Sequence, residues 1–123
     1  MQFGEFFKQL RKEKGFTQEK VASAIGKSKM LVSGIETGRN CAFLDEDLET
    51  ISVLMELTDN EKNKLFYEAS RARASLPLHL LDYMSRHHEV YIILDYIARE
   101  DMGSKSLKKI QTYVEELINV KNN

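Results

Sequence analysis

The chain has 123 residues, 42% hydrophobic and 30% charged, with one Pro and six Gly. That is enough to close a core in one or at most two very small domains, and too apolar for a disordered or collagen-like chain. The formal charge of -1 announces no polyanionic partner by itself. Its distribution is less neutral. Residues 1–40 carry eight Lys or Arg against four acidic side chains, a net +4, which leaves ten basic against fifteen acidic residues over 41–123. A basic end beside an acidic remainder is the asymmetry expected where one part meets nucleic acid.

Cys41 is the only cysteine, so no intramolecular disulfide forms, and no Cys or His pair stands at zinc-ligand spacing. This usage points to a reducing, cytoplasmic setting. The longest apolar run, Val90-Tyr91-Ile92-Ile93-Leu94, falls far short of the roughly 20 residues that span a bilayer, and no membrane partner is expected. Glu5 and Lys8 near Met1 do not follow the basic-then-apolar order of a signal peptide.

Strand signals are nearly absent and helical spacing runs through the chain, which predicts an all-α fold. Phe3, Phe6, Phe7 and Leu10 recur at three and four residues, and Gly15 follows as a stop. Thr17 caps a second, short helix with Val21, Ala22 and Ile25 on its apolar stripe, and Gly26 ends it. Ser28 caps a third at once, with Leu31, Val32 and Ile35, closed by Gly38. After the irregular stretch Arg39–Phe43, the residues Leu48, Ile51, Leu54, Met55 and Leu57 trace a fourth helix. Thr58 and Glu61 form a T-x-x-E capping box for a fifth, carrying Leu65, Phe66, Ala69 and Ala72.

Five helices are thus expected within residues 1–74, enclosing a core of Phe6, Leu10, Val21, Ile25, Val32, Ile35, Ile51 and Leu54. About three more are expected within 75–123. Pro77 suits the first turn of a sixth, with Leu80, Leu81 and Met84, unless the fifth helix simply runs on into it. His87-His88 marks a break, Val90, Ile93, Leu94 and Ile97 make a seventh, and an eighth begins near Ser106. Leu107, Ile110, Val114 and Leu117 stand along that last helix at spacings of three, four and three. Tyr91, Ile92 and Tyr96 add apolar surface on other sides of the seventh helix, which predicts cover on two faces, one of them by a partner subunit.

Two short helices joined by one glycine-containing turn are a helix-turn-helix candidate. The unit needs a small residue where the helices cross, a turn residue tolerant of positive φ, and apolar plugs under the second helix. Ala22, Gly26, Val32 and Ile35 meet these needs together, between the Thr17 and Ser28 caps. The run Leu10-Arg11-Lys12-Glu13-Lys14-Gly15-Phe16-Thr17-Gln18-Glu19, with Gly26-Lys27-Ser28 and Val32-Ser33-Gly34-Ile35-Glu36-Thr37-Gly38, resembles the Cro/C1-type (XRE-like) regulators of phages and mobile elements over roughly residues 3–58.

The resemblance implies that Lys29, Met30, Ser33 and Gly34 occupy base-reading positions. It also implies that Gln18 and Ser28, at helix N-termini, and Thr37, Arg39 and Asn40, beyond the recognition helix, hold DNA phosphates. Gly34 departs from the family, which usually carries a longer polar side chain there, and Met30-Leu31 makes the helix less polar than is common. The implied function is a dimeric regulator, most simply a repressor, on a pseudo-palindromic operator in double-stranded DNA, with residues 76–119 joining two copies or holding a protein partner. The rivals are an antitoxin whose acidic helices bind a toxin, and an adaptor or anti-repressor that uses a decayed motif to bind protein. His79, His87 and His88, the adjacent carboxylates Asp45-Glu46-Asp47, and Cys41 form no nucleophile, metal or phosphate-loop signature, so no catalytic residue, metal or cofactor is expected.

Overall fold

The computed structural model describes residues 2–122 and, among them, holds eight helices and no strand. In order they are α1 (Phe3–Glu13), α2 (Gln18–Ile25), α3 (Lys29–Glu36), α4 (Asp45–Leu54), α5 (Asp59–Arg73), α6 (Leu78–Arg86), α7 (His88–Arg99) and α8 (Ser104–Asn122). No helix among the described residues is long and apolar enough to cross a membrane.

The boundaries follow local chemistry. Thr17 Oγ1 accepts from Lys20 N–H at 3.1 Å and Ser28 Oγ from Leu31 N–H at 3.1 Å, each satisfying a backbone donor that the first helical turn leaves free. The Thr58–Glu61 box closes in both directions. The fourth helix is shorter than its apolar spacing predicts. It ends at Leu54, because Glu56 turns to positive φ and Leu57 N–H returns to Ser52 O, which folds Leu57 back as a partly buried residue outside the helix. The fifth does not run on into the sixth: Ala74 adopts a left-handed conformation and Pro77 opens the next segment. The last helix starts at Ser104, two residues before Ser106.

The chain divides into compact units Met1–Leu81 and Asp82–Asn123. The division falls inside α6, seven residues beyond the expected boundary at 74. Asp45 explains the shift, since its Oδ1 accepts from Arg73 Nη2 at 2.6 Å and its Oδ2 from Leu78 N–H at 2.8 Å, while His79 sets its ring against Phe66. These contacts hold the first turn of α6 on the N-terminal unit. Burial alone pushes the Asp45 carboxyl up, but the Leu78 N–H and the Arg73 guanidinium together hold it below the usual carboxylate range.

In the N-terminal unit, α2 packs on α3 and α4, α1 on α3 and α5, and α4 on α5. Leu10, Val21, Val32, Ile35 and Ile51 are buried as expected, whereas Phe6, Ile25 and Leu54 are only partly covered. The centre is Phe7, Phe43, Leu48 and Leu65, all fully buried. Phe43 enters from the irregular segment and meets the Phe7 ring edge-on at 4.7 Å between centroids. Gly4 lets α1 touch α3: a β-carbon there would collide with the backbone oxygens of Ile35 and Glu36.

In the C-terminal unit, no residue of α7 or α8 is buried. Ile93, Leu94, Val114 and Leu117 are each about half exposed, and Val90, Ile92 and Ile97 are half-buried.

Candidate nucleic-acid interface

The angle between α2 and α3 is set first by backbone and then by a buried ion pair. Gly26 takes φ +68, and Lys27 N–H reaches back to Ala22 O at 2.9 Å, so the chain reverses within one tight turn. Any side chain at Gly26 would be strained there. Behind the turn, Arg11 on α1 grips Glu36 on α3 with two bonds, Nε to Oε2 at 2.7 Å and Nη2 to Oε1 at 3.0 Å, with both side chains almost wholly buried. The remaining guanidinium nitrogen donates to Phe16 O at 2.8 Å, and Gln18 Nε2 donates to Glu36 Oε1 at 3.0 Å. The hydrogen bond to Glu36 outweighs burial and raises the Arg11 pKa further, so the guanidinium keeps its charge. Arg11 and Glu36 thus tie together α1, the loop after it, the start of α2 and the end of α3.

With α3 locked on this side, its other side is open. Lys29, Met30 and Thr37 are exposed and Ser33 is half-exposed, at helical spacings that put them on one face, while Val32, Ile35 and Glu36 face inward. Met30, at 76% exposure, is the most open apolar residue of the N-terminal helices α1 to α3. Lys29 Nζ lies 2.8 Å from Glu19 Oε1 of α2, with both side chains about 60% exposed. Hydrogen bonding from Lys29, helped by the backbone at the start of α2, holds the Glu19 carboxyl below its usual value. Such a pair in water exchanges readily for another anion, so Lys29 is held near the face without being committed to Glu19.

The expected phosphate-holding residues differ in their freedom. Arg39 is exposed and, among the described residues, engages no carboxylate and makes no side-chain hydrogen bond. Ser28 spends its hydroxyl on the cap, and Thr37 Oγ1 donates to Gly34 O at 3.2 Å. Gln18 gives one amide hydrogen to Glu36, which aims the rest of its amide beside the N-terminus of α2.

Gly34 is not on the open face. It is buried beneath Asn40, whose backbone N–H donates to Gly34 O at 3.0 Å and whose side-chain amide fills the space where a β-carbon would stand. Position 34 is therefore covered, and the neighbouring polar group is Asn40, which crosses over it. Helical spacing explains the misplacement, since Gly34 sits at the border between the open and packed faces, where the segment following α3 folds back.

The role of Arg11 and Glu36 escaped the sequence reading, although a signal was present. Arg11 stands four residues after Phe7, and Glu36 four after Val32, so each charge shares an apolar face of its helix. Opposite charges on two inward faces are the mark of a buried pair.

A short α2, a glycine turn and an α3 braced on one side and open on the other define a helix-turn-helix, the class of domain that presents its second helix to a DNA groove. A family model described as a helix-turn-helix domain matches residues 2–65, just over half of the chain, and the protein belongs to this family, in agreement with the Cro/C1-type resemblance. No curated protein and no solved structure matches the chain.

Proposed function

We propose that the protein is a sequence-specific transcriptional regulator, a repressor of a phage or mobile-element promoter, that binds a pseudo-palindromic operator as a homodimer. The observation that carries this reading is the open face of α3, with Lys29, Met30, Ser33 and Thr37 together on a helix whose opposite side is fixed by the buried Arg11–Glu36 pair. Lys29 donates to guanine O6 and N7, Ser33 bonds either base edge, and Met30 packs on a thymine methyl. The N-termini of α2 and α3, at Gln18 and Ser28, together with Thr37, Arg39 and Asn40, face the phosphates. One short helix reads few base pairs, so two copies set about 34 Å apart, one turn of DNA, supply the specificity.

In vitro selection of bound DNA with the purified full chain tests this reading. The expected result is a two-fold-related site whose affinity falls steeply with salt. Arg39→Ala should weaken binding across sequences and lower the salt slope by about 1. Lys29→Ala should relax the preference at one position of each half-site, at about 1–3 kcal/mol. Absence of any DNA shift at low salt overturns the reading in favour of a protein-binding adaptor.

The exposed apolar residues of α7 and α8 also suit a second reading, an antitoxin whose C-terminal helices are covered by a toxin. Light scattering separates the two. A full-length dimer, and a monomeric 1–81 fragment that binds DNA more weakly, support the homodimer, while a full-length monomer at tens of micromolar supports the antitoxin.

A further inference from the structure

Between Gln18 and Arg39 the helix-turn-helix carries four exposed cations, Lys20, Lys27, Lys29 and Arg39, and two carboxylates. Glu36 is buried against Arg11, so Glu19 is the one negative charge at the surface of this segment.

Glu19 is the second residue of α2, and its Oε1 lies 2.8 Å from Nζ of Lys29, the first residue of α3. A lysine at the positive end of a helix is disfavoured, and α3 has no acidic residue in its own first turn to offset it. Glu19 supplies that charge from the neighbouring helix, and it stands in the first turn of α2 as well. A carboxylate of the chain itself is therefore placed beside two helix N-termini, where the reading above puts phosphates. With both side chains about 60% exposed, the pair adds little to stability, so its effect lies in what it does to a third group.

An ammonium has three hydrogens to donate and accepts none. Glu19 engages one of them, which leaves two, as many as guanine O6 and N7 accept together. Those acceptors are neutral, so Lys29 can meet a guanine edge without leaving Glu19. A phosphate is different. Brought to the same ammonium, its charged oxygens come close to a second anion, and either the two anions repel or the existing pair has to break. The pair thus favours a neutral base edge over the anionic backbone. Backbone contacts supply essentially all of the binding to random sequence, so a filter of this kind acts on the ratio of operator to random affinity.

We propose that Glu19 is a specificity-determining residue, which weakens the hold of Lys29 on phosphate and keeps it for the guanine edge. The proposal rests on the DNA-binding reading above and adds the residue that sets its discrimination.

The full-length wild type, Glu19→Gln, Lys29→Ala and the double variant are titrated over a range of salt against the selected operator and a random duplex of equal length. Gln keeps the shape of Glu and removes its charge. Glu19→Gln should tighten binding to the random duplex several-fold at low salt and steepen its salt dependence by about 1, because Lys29 is freed for a phosphate. Operator affinity should change less, so the ratio of the two falls. In the Lys29→Ala background the same change should gain clearly less on the random duplex.

An unchanged ratio overturns the proposal. So does an equal gain in the two backgrounds, which would make Glu19 a general repulsive charge with no bearing on Lys29. Both outcomes leave DNA binding standing. A selection that returns no site, with no shift of a random duplex by any of the four proteins at low salt, overturns the DNA reading and this proposal together.

Discussion

The two units carry apolar residues at the same helical spacings and use them in opposite ways. In the N-terminal unit, Phe7, Leu48, Ile51 and Leu65 are sealed within one chain by five helices that cross one another. In the C-terminal unit, Val90–Ile97 and Leu107–Leu117 carry apolar residues at such spacings too, yet none of these residues is buried. Amphipathic spacing therefore fixes that a face will be covered and leaves open by what. The N-terminal unit covers its faces with other parts of itself, which produces a rigid platform for α3. The C-terminal unit keeps its faces available.

The largest expected effect tests that contrast directly. Phe7→Ala should cost about 3–5 kcal/mol in chemical unfolding, because the cavity opens among fully buried neighbours. Ile93→Ala, equally severe on paper, should change the unfolding of dilute monomer by less than about 0.5 kcal/mol, since the side chain is already half in water. A comparable loss from both would erase the distinction between the units.

Next in size is the brace behind α3. Glu36→Ala leaves the Arg11 guanidinium buried without its carboxylate and should cost about 3 kcal/mol, with a further loss of DNA affinity as Gln18 loses its partner. The double change Arg11→Met with Glu36→Met should recover most of the stability. If its DNA affinity returned as well, the brace would be a matter of stability alone.

The tie between the N-terminal unit and the start of α6 is smaller and depends on pH. The Asp45 carboxyl is held low in the folded chain, so its contribution is present above the ordinary carboxylate range and is lost as pH falls through the depressed value. Wild type should exceed Asp45→Asn in melting temperature at neutral pH, and the gap should close in acid. Asp47 works in the opposite sense: burial raises its carboxyl, so Asp47→Asn should relieve a cost at neutral pH. A gap between wild type and Asp45→Asn that stayed constant from neutral to strongly acid solution would remove the ionised carboxylate from the tie.

The smallest expected effect is at Gly34. Ala there gains up to about 1 kcal/mol of helix propensity but must push the Asn40 amide aside, so net stability should move little. DNA affinity should fall as far in Gly34→Ala as in Asn40→Ala, and no further in the double variant, when binding is measured by titration. Additive losses would mean that position 34 acts independently of Asn40.

Much of this molecule was settled by short-range chemistry that is legible in the sequence alone. Thr17, Ser28 and the Thr58–Glu61 box start helices because their side chains satisfy donors within three residues, and Gly15, Gly26 and Gly38 end them because each takes positive φ. The helix-turn-helix was legible for the same reason, being a local unit of about twenty residues. Other features were decided only when distant segments met. Phe43 lies in a loop with no period to mark it, and it becomes central only because α1 brings Phe7 to it. Arg11 and Glu36 are 25 residues apart, Asp45 and Leu78 33, so neither partner specifies the other until five helices have packed. Gly34 changed faces because Asn40 folded over it, a contact made by the chain's return path. Local hydrogen-bonding groups and spacing determined the helices; the pairing of charges, the centre of the core and the edge of the open face of α3 were set by long-range packing, which alone decides what each helix face meets.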